Sequence, residues 1–472
     1  MIIGTMRRDA LLVIALLLVS CGGQRSQVVQ RPNLLFITTD DQRFDMLGIV
    51  HPFLETPNMD RLAAEGVRFE NAFVTTPICA ASRASLLTGL VERTHQFTFG
   101  TPPLAARFTD QSYPVLLREA GYRTGFVGKF GVATEPGATD KMFDTLTSLT
   151  APYLRQQEDG SMRHLTDITA DRAVDFLRSA DQTSPFALTV SFNAPHADDG
   201  DDRQFIWPAA MDGKYSDFTI PDPPLSDPAF FEALPEFLKD ASLNRVRWYW
   251  RFDTPEKAQE MTRGYLRMIT GVDAAIGRVL DELESLGLAS NTVVILMGDN
   301  GYFLGERGYA GKWLPYELSI HVPLIVFDPR IEESSRGTLP SLLVLNIDIA
   351  PTLLALAGVE APSTMQGTSL VPILEGASPA DWRSDFFVEH LMDHSQITKH
   401  EGVRGERYKY ARYFEQEPVY EELYDLLVDP METRNLAGDP DYLEILTELR
   451  RRTDELQAEY GGPYTPVREQ EE

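Results

Sequence analysis

Cysteine is nearly missing: the 472 residues contain only two, Cys21 and Cys79. After the first 20 residues no stretch is long and apolar enough to span a bilayer. No internal repeat and no low-complexity tract is present. Positive charge is scarce, with 43 Lys and Arg against 70 Asp and Glu, a formal net charge of −27. So acidic a chain argues against nucleic acid as a partner. An anionic substrate would need positive charge gathered locally against that background. What is present is ordinary globular composition, 43% hydrophobic and 24% charged, in a chain long enough for a main domain and a smaller companion.

The first residues differ from the rest. Arg7 and Arg8 precede an apolar run from Leu11 to Val19, the layout of a signal peptide over residues 1–20. The run ends Leu18-Val19-Ser20-Cys21, which resembles the lipobox of bacterial lipoproteins and implies lipid on the Cys21 thiol. Gly22 and Gly23 suit a flexible tether over 21–31. The expected location is the bacterial cell envelope, with a soluble domain held at a membrane surface, periplasmic or on the outer membrane. This reading uses Cys21 and leaves Cys79 unpaired in an oxidising compartment, where a lone thiol needs an explanation.

Further on, buried strands and helices alternate. Strands are expected over 33–39, 121–129, 186–192, 292–297 and 323–327. Helices are expected from Ser82 and over 57–66, 114–120, 168–179, 255–286 and 349–356. Such alternation predicts an α/β fold whose sheet is covered on both faces. Between 197 and 253 the pattern breaks down, with an aromatic cluster at Trp248, Tyr249 and Trp250. That span either shapes a binding site, stacking sugar rings, or packs on itself. The main domain is expected over 32–374, and a smaller α+β unit over 375–465.

Strand ends carry the chemistry. Asp40 and Asp41 follow the first strand, and Asp299 and Asn300 follow the strand over 292–297. Together they offer oxygen ligands for a hard cation such as Ca²⁺ or Mg²⁺. Taken singly, each pair is also ordinary turn chemistry. Arg83 lies one helical turn after Cys79. Lys129, His196 and Lys312 each fall just past a strand or a glycine-rich turn. Singly such lysines read as surface groups. As a set they suit an anionic ester beside a metal.

Cys79-Ala80-Ala81-Ser82-Arg83, extended to Gly89, resembles the maturation signature of the type I sulfatases. PNLLFITTDDQR, GYRTGFVGK, SFNAPH, GDNGYFLGERG, GKWLPYE, DIAPTLLALAG and ELYDLLVDPMETRNL resemble that family's blocks, in its order, from Pro32 to Leu436. The resemblance implies an alkaline-phosphatase-like fold, a large mixed sheet between helices with a smaller C-terminal subdomain. It implies that a maturation enzyme oxidises Cys79 to Cα-formylglycine. The hydrated aldehyde would present one hydroxyl, activated by the metal, to sulfur, and a second whose collapse expels sulfate. Asp40, Asp41, Asp299 and Asn300 match the family's calcium ligands, completed by residue 79. Arg83 matches the group that steadies the diol, Lys129 and Lys312 those that hold sulfate oxygens, and His196 the one that protonates the leaving oxygen.

Two positions depart from the family pattern. Gly131 stands where many members carry a histidine that deprotonates the diol, with His95 and His390 as conceivable stand-ins. Arg307 stands where histidine is common and is expected to add positive charge near the site. The expected function is a sulfatase acting on a sulfated carbohydrate. Two other readings are a phosphodiesterase or phosphonate monoester hydrolase on the same scaffold, and a lipoprotein that binds sulfated glycans without turnover.

Overall fold

Strand β1 (Asn33–Thr39) is buried along its whole length, and its side chains divide between two cores. Leu34 and Phe36 enter one cluster and Leu35 and Ile37 the other, as the period of two along a strand requires. A strand apolar on both faces must be covered on both. The computed structural model, which describes residues 1, 31–179, 184–239 and 242–465, supplies that cover. The expected signal peptide beyond Met1, Cys21 and the tether before Arg31 lie outside the described residues, as does the tail over 466–472.

The main sheet also contains β2 (Val67–Arg68), β3 (Arg123–Gly128), β4 (Thr145–Ser148), β5 (Phe186–Ser191), β6 (Thr292–Gly298) and β7 (Leu324–Phe327). Their order is β2, β7, β6, β1, β5, β3, β4. From β6 to β4 every pairing is parallel, while β7 is antiparallel to both its neighbours. Thr39 pairs with Gly298, and Gly128 with Ser191. The residues that follow these strands therefore leave the sheet at one common edge, where ligand sites gather in such folds.

On one face pack α1 (Pro57–Glu65), α3 (Leu165–Arg178) and α5 (Pro255–Ser285). On the other lie α2 (Cys79–Thr88) and α6 (Ile349–Leu356). Helix α2 begins three residues before the expected Ser82, which puts Cys79 in its first turn. The span over 197–253 is not patternless. It ends in the aromatic helix α4 (Leu243–Arg251), which presents Tyr249 and Trp250 to solvent. Beyond the main sheet, β8 (Asp385–His390), β9 (His400–Gly405), β10 (Tyr408–Tyr413) and β11 (Tyr420–Asp425) form an antiparallel sheet, followed by α7 (Leu443–Tyr460). Arg93 ties this unit to the main domain, bonding Glu389 at 2.9 Å and Glu401 at 2.6 Å.

Helix α1 shows how local and distant signals combine. Thr56-Pro57 places its start, yet the Thr56 side chain does not cap it. The cap comes from α5: Asp273 accepts from the Asn58 amide at 3.0 Å and the Met59 amide at 2.8 Å. Replacing Asp273 with Ala leaves the buried Met59 amide and the half-buried Asn58 amide unpaired and costs about 2 kcal/mol. Urea denaturation measures this, and a loss below about 0.5 kcal/mol would contradict the borrowed cap.

Candidate active site

Two consecutive strand residues normally face opposite ways. Asp40 and Asp41 do not, because Asp41 adopts a left-handed conformation with φ 67°. Aspartate tolerates that region better than most residues. Tyr265 of α5 holds the turn by donating to the Asp41 carbonyl at 2.6 Å. Both carboxylates thus reach one lysine: Lys312 Nζ lies 2.5 Å from Asp41 Oδ1 and 3.7 Å from Asp40 Oδ1.

The neighbouring strands complete the set. Lys129, just past β3, pairs with Asp40, and its Nζ lies 3.6 Å from Cys79 Sγ. Asp299, just past β6, accepts from the Asp41 amide at 3.2 Å and pairs with Arg83 Nε at 2.8 Å. Asn300 donates to Asp41 Oδ1 at 2.6 Å. His196 follows β5, with Nε2 3.7 Å from Asp41 Oδ2. All nine sequence-predicted residues, Asp40, Asp41, Cys79, Arg83, Lys129, His196, Asp299, Asn300 and Lys312, join one connected set. The aspartates, Asn300, Cys79, Arg83 and Lys312 are buried, while the Lys129 and His196 side chains are 18% and 25% exposed and mark the mouth.

The electrostatics follow from crowding. Burial pushes the Asp40 carboxyl up, but Lys129, His196, Lys312 and Arg83 outweigh it and hold it well below the usual range. Asp299 moves the other way, raised to about 6 by burial and by the Asp40 charge, against Arg83 and both lysines. Burial lowers His196 to about 4 although Asp41 and Asp40 oppose it, so its ring is neutral at pH 7. Its Nδ1–H donates to the Ala197 carbonyl at 2.5 Å, which leaves the Nε2 lone pair toward the site. Burial works against the Lys312 charge, but Asp41 and its neighbours keep it protonated.

The residues fit a hard divalent cation. Asp40 Oδ1, Asp41 Oδ2 and Asn300 Oδ1 are buried without a hydrogen-bond partner. One donor atom each from Asp40, Asp41 and His196 falls within 4.8 Å of the others, a trio that contains His196 in place of Asp299. Three carboxylates face three fixed cations, so a divalent ion would tip the balance positive, as an anionic ester requires.

Two expectations change. A Cβ on Gly131 would lie 3.1 Å from Arg83 Cδ and 3.8 Å from Lys129 Cε, so the histidine missing there is missing from the site itself. His95 does not replace it, since Nε2 meets Ser85 Oγ at 3.1 Å and Nδ1 accepts from the Phe97 amide. His390 is buried with neither ring nitrogen hydrogen-bonded, and its ring lies 6.1 Å from that of His400; no contact ties it to Cys79 or Arg83 among the described residues. Arg307 adds no cation here. It bonds the Met431 carbonyl at 2.9 Å and the Glu432 carbonyl, linking the main domain to the segment after β11. Sequence reasoning missed Ser191, whose hydroxyl takes an Arg83 N–H at 2.5 Å, and Asn244, which donates to the Lys312 carbonyl at 2.8 Å. A buried serine ending a strand was the available signal for the first; the second lay in the aromatic span.

Oxygen atoms arranged for a cation, and cations arranged for an anion, describe an enzyme that acts on anionic esters. The family model "Sulfatase" matches residues 32–359, and the model "N-sulphoglucosamine sulphohydrolase, C-terminal" matches 305–459. The chain belongs to the sulfatase family. It is 31% identical to an N-acetylglucosamine-6-O-sulfatase of Bacteroides thetaiotaomicron, over 94% of this chain and 90% of that one. It is 27% identical to the human N-acetylglucosamine-6-sulfatase, over 92% of this chain and 86% of the relative. A solved structure in complex with its substrate D-glucosamine-2-N,6-O-disulfate superposes with TM-score 0.77 and 28% identity, covering 91% of this chain and 98% of that one. The phosphonate monoester hydrolase of Agrobacterium radiobacter superposes with TM-score 0.71 and 25% identity, covering 91% and 96%.

If the oxygen set holds calcium, the ion stabilises the folded chain. At a hundredfold excess over its dissociation constant it adds about 2.7 kcal/mol. Thermal unfolding with and without calcium should show a higher midpoint for the wild type and none of that gain for Asp41→Ala. An equal rise in both would place the ion elsewhere.

Proposed function

We propose that this sulfatase removes a sulfate ester from a sulfated carbohydrate, an amino sugar by the resemblance of its relatives, using a formylglycine made from Cys79 by a maturation enzyme and a calcium ion held by Asp40, Asp41, Asp299 and Asn300. The observation that carries this reading is the position of Cys79. It opens α2 at the carboxyl edge of the sheet, with Lys129 beside its sulfur and Arg83 one turn on. When bound, the metal and the hydrated aldehyde supply charge for the sulfate oxygens and an oxygen nucleophile.

The chain's own residues do the rest. Lys129 and Lys312 are placed to bind sulfate oxygens, and they remain charged because the aspartates hold them so. Arg83 is fixed by Asp299, Ser191 and the Lys129 carbonyl, which holds its charge one helical turn from residue 79. His196 stands at the mouth with its Nε2 lone pair open; the ring is neutral before the ester binds, so it must first take up a proton at Nε2, which a bound anionic ester favours, and then pass it to the leaving oxygen.

A sugar alcohol is a poor leaving group and needs that proton, whereas an aryl alcohol does not. His196→Ala should therefore lower kcat on a sugar sulfate by about 10²-fold or more and spare an aryl sulfate by comparison. Equal losses on both esters would remove the proton-donor role. The phosphonate monoester hydrolase likeness gives a second reading some weight. Matched sulfate and phosphonate esters separate the two, and a higher kcat/KM on the phosphonate would reverse our assignment. We also propose membrane anchoring through Cys21, for which Cys21→Ser should shift the protein from the membrane to the soluble fraction. An unchanged distribution would exclude the lipid anchor.

A further inference from the structure

One carboxylate outside the proposed chemistry gathers two arginines in the segment after His196. Asp199 lies three residues past His196, and its two oxygens pair separately with Arg247 and Arg251 of α4. Arg251 is wholly buried and fully engaged. Its Nε donates to Gln204 Oε1 at 2.9 Å and its Nη1 to the Tyr302 hydroxyl at 2.8 Å. Tyr302 is two residues from Asn300. Arg247, one turn earlier, lies with its guanidinium 4.6 Å above the ring of Trp313, the residue after Lys312. Arg247 thus sits between a chain neighbour of His196 and a chain neighbour of Lys312.

The two arginines differ in what remains unmade. Arg247 gives Nη2 to Asp199 and keeps Nε buried without a partner, so Nη1, which has no hydrogen bond among the described residues, is the donor a ligand can reach. Its side chain is still 12% exposed, beside an Asp199 side chain that is 31% exposed. A guanidinium clamped by a carboxylate and an aromatic face, with donor capacity left over, is preorganised to take an oxyanion. The scissile sulfate already has Lys129 and Lys312, so this donor serves something else. We propose that Arg247 is a specificity-determining residue that binds a second sulfate or sulfamate on the sugar carrying the scissile ester. The second group is placed on the same sugar because the Trp313 ring beneath Arg247 packs with Ile78 and Ala81, on either side of Cys79. This inference rests on the sulfated-carbohydrate reading above.

The test is the ratio of kcat/KM for glucosamine 2-N,6-O-disulfate to that for N-acetylglucosamine 6-sulfate, which share a leaving group but differ in the second charge. In Arg247→Gln the ratio should fall about tenfold, the worth of one charge-assisted hydrogen bond, and the change should lie in KM. Arg247→Lys keeps the charge but loses the planar fork, so its ratio should fall between the two. An unchanged ratio in Arg247→Gln overturns the proposal. Should that variant fail to fold, an unchanged ratio in Arg247→Lys does the same. A matured wild type that cleaves aryl sulfates but neither sugar would instead refute the amino-sugar reading, so the two failures are distinguishable.

Discussion

Everything in this structure is arranged around one problem, the burial of three carboxylates beside three cations. An unpaired ion taken from water costs several kcal/mol even after relaxation, and a partly paired network is worse than none. Here each charge has a partner from a different element. Lys129 comes from the end of β3, Arg83 from α2, Lys312 from just past the short hairpin over 303–311, and the aspartates from the ends of β1 and β6. Apart from the adjacent Asp40 and Asp41, no two of these are held together by local sequence, so the tertiary fold has to do it. The parallel register that levels Thr39 with Gly298 and Gly128 with Ser191 is what brings the six charges to one edge.

The same arrangement explains why the site tolerates backbone strain. A left-handed Asp41 costs energy, and the Tyr265 hydroxyl, the Asn300 amide and Lys312 all depend on it. The return is two adjacent carboxylates facing one point. Arg83 is held as tightly, with Ser191 and the Lys129 carbonyl tying α2 to the edges of β5 and β3. Residue 79, one turn before Arg83, is therefore positioned by the packing of the helix as well as by its own contact with Lys129.

Much of this was legible in the sequence, for a physical reason. Buried parallel strands read as apolar runs, and the residues just past them read as site candidates; Asp40, Lys129, His196 and Asp299 were each bland alone and became legible as a set and through the family resemblance. The Cys79–Arg83 spacing was legible because helical periodicity puts both on one side. What stayed hidden depends on contacts between distant segments. Arg307 looked like a site cation, yet its guanidinium turns toward carbonyls more than a hundred residues away. Gly131 was read as a departure, but only its place over Arg83 and Lys129 shows that the site itself lacks that histidine. The Asp199–Arg247 pair lay in a span without periodicity, where neither strand nor helix signals place a side chain.

The account turns on the chemical identity of residue 79. Peptide mass spectrometry across Thr75 to Gly89, on protein made in its native host or beside a formylglycine-generating enzyme, tests it most directly. The account predicts loss of the thiol and gain of an aldehyde at position 79. An unmodified cysteine under those conditions would remove the nucleophile from the proposed mechanism, and the ion network around it would then describe a site that binds anions without cleaving them.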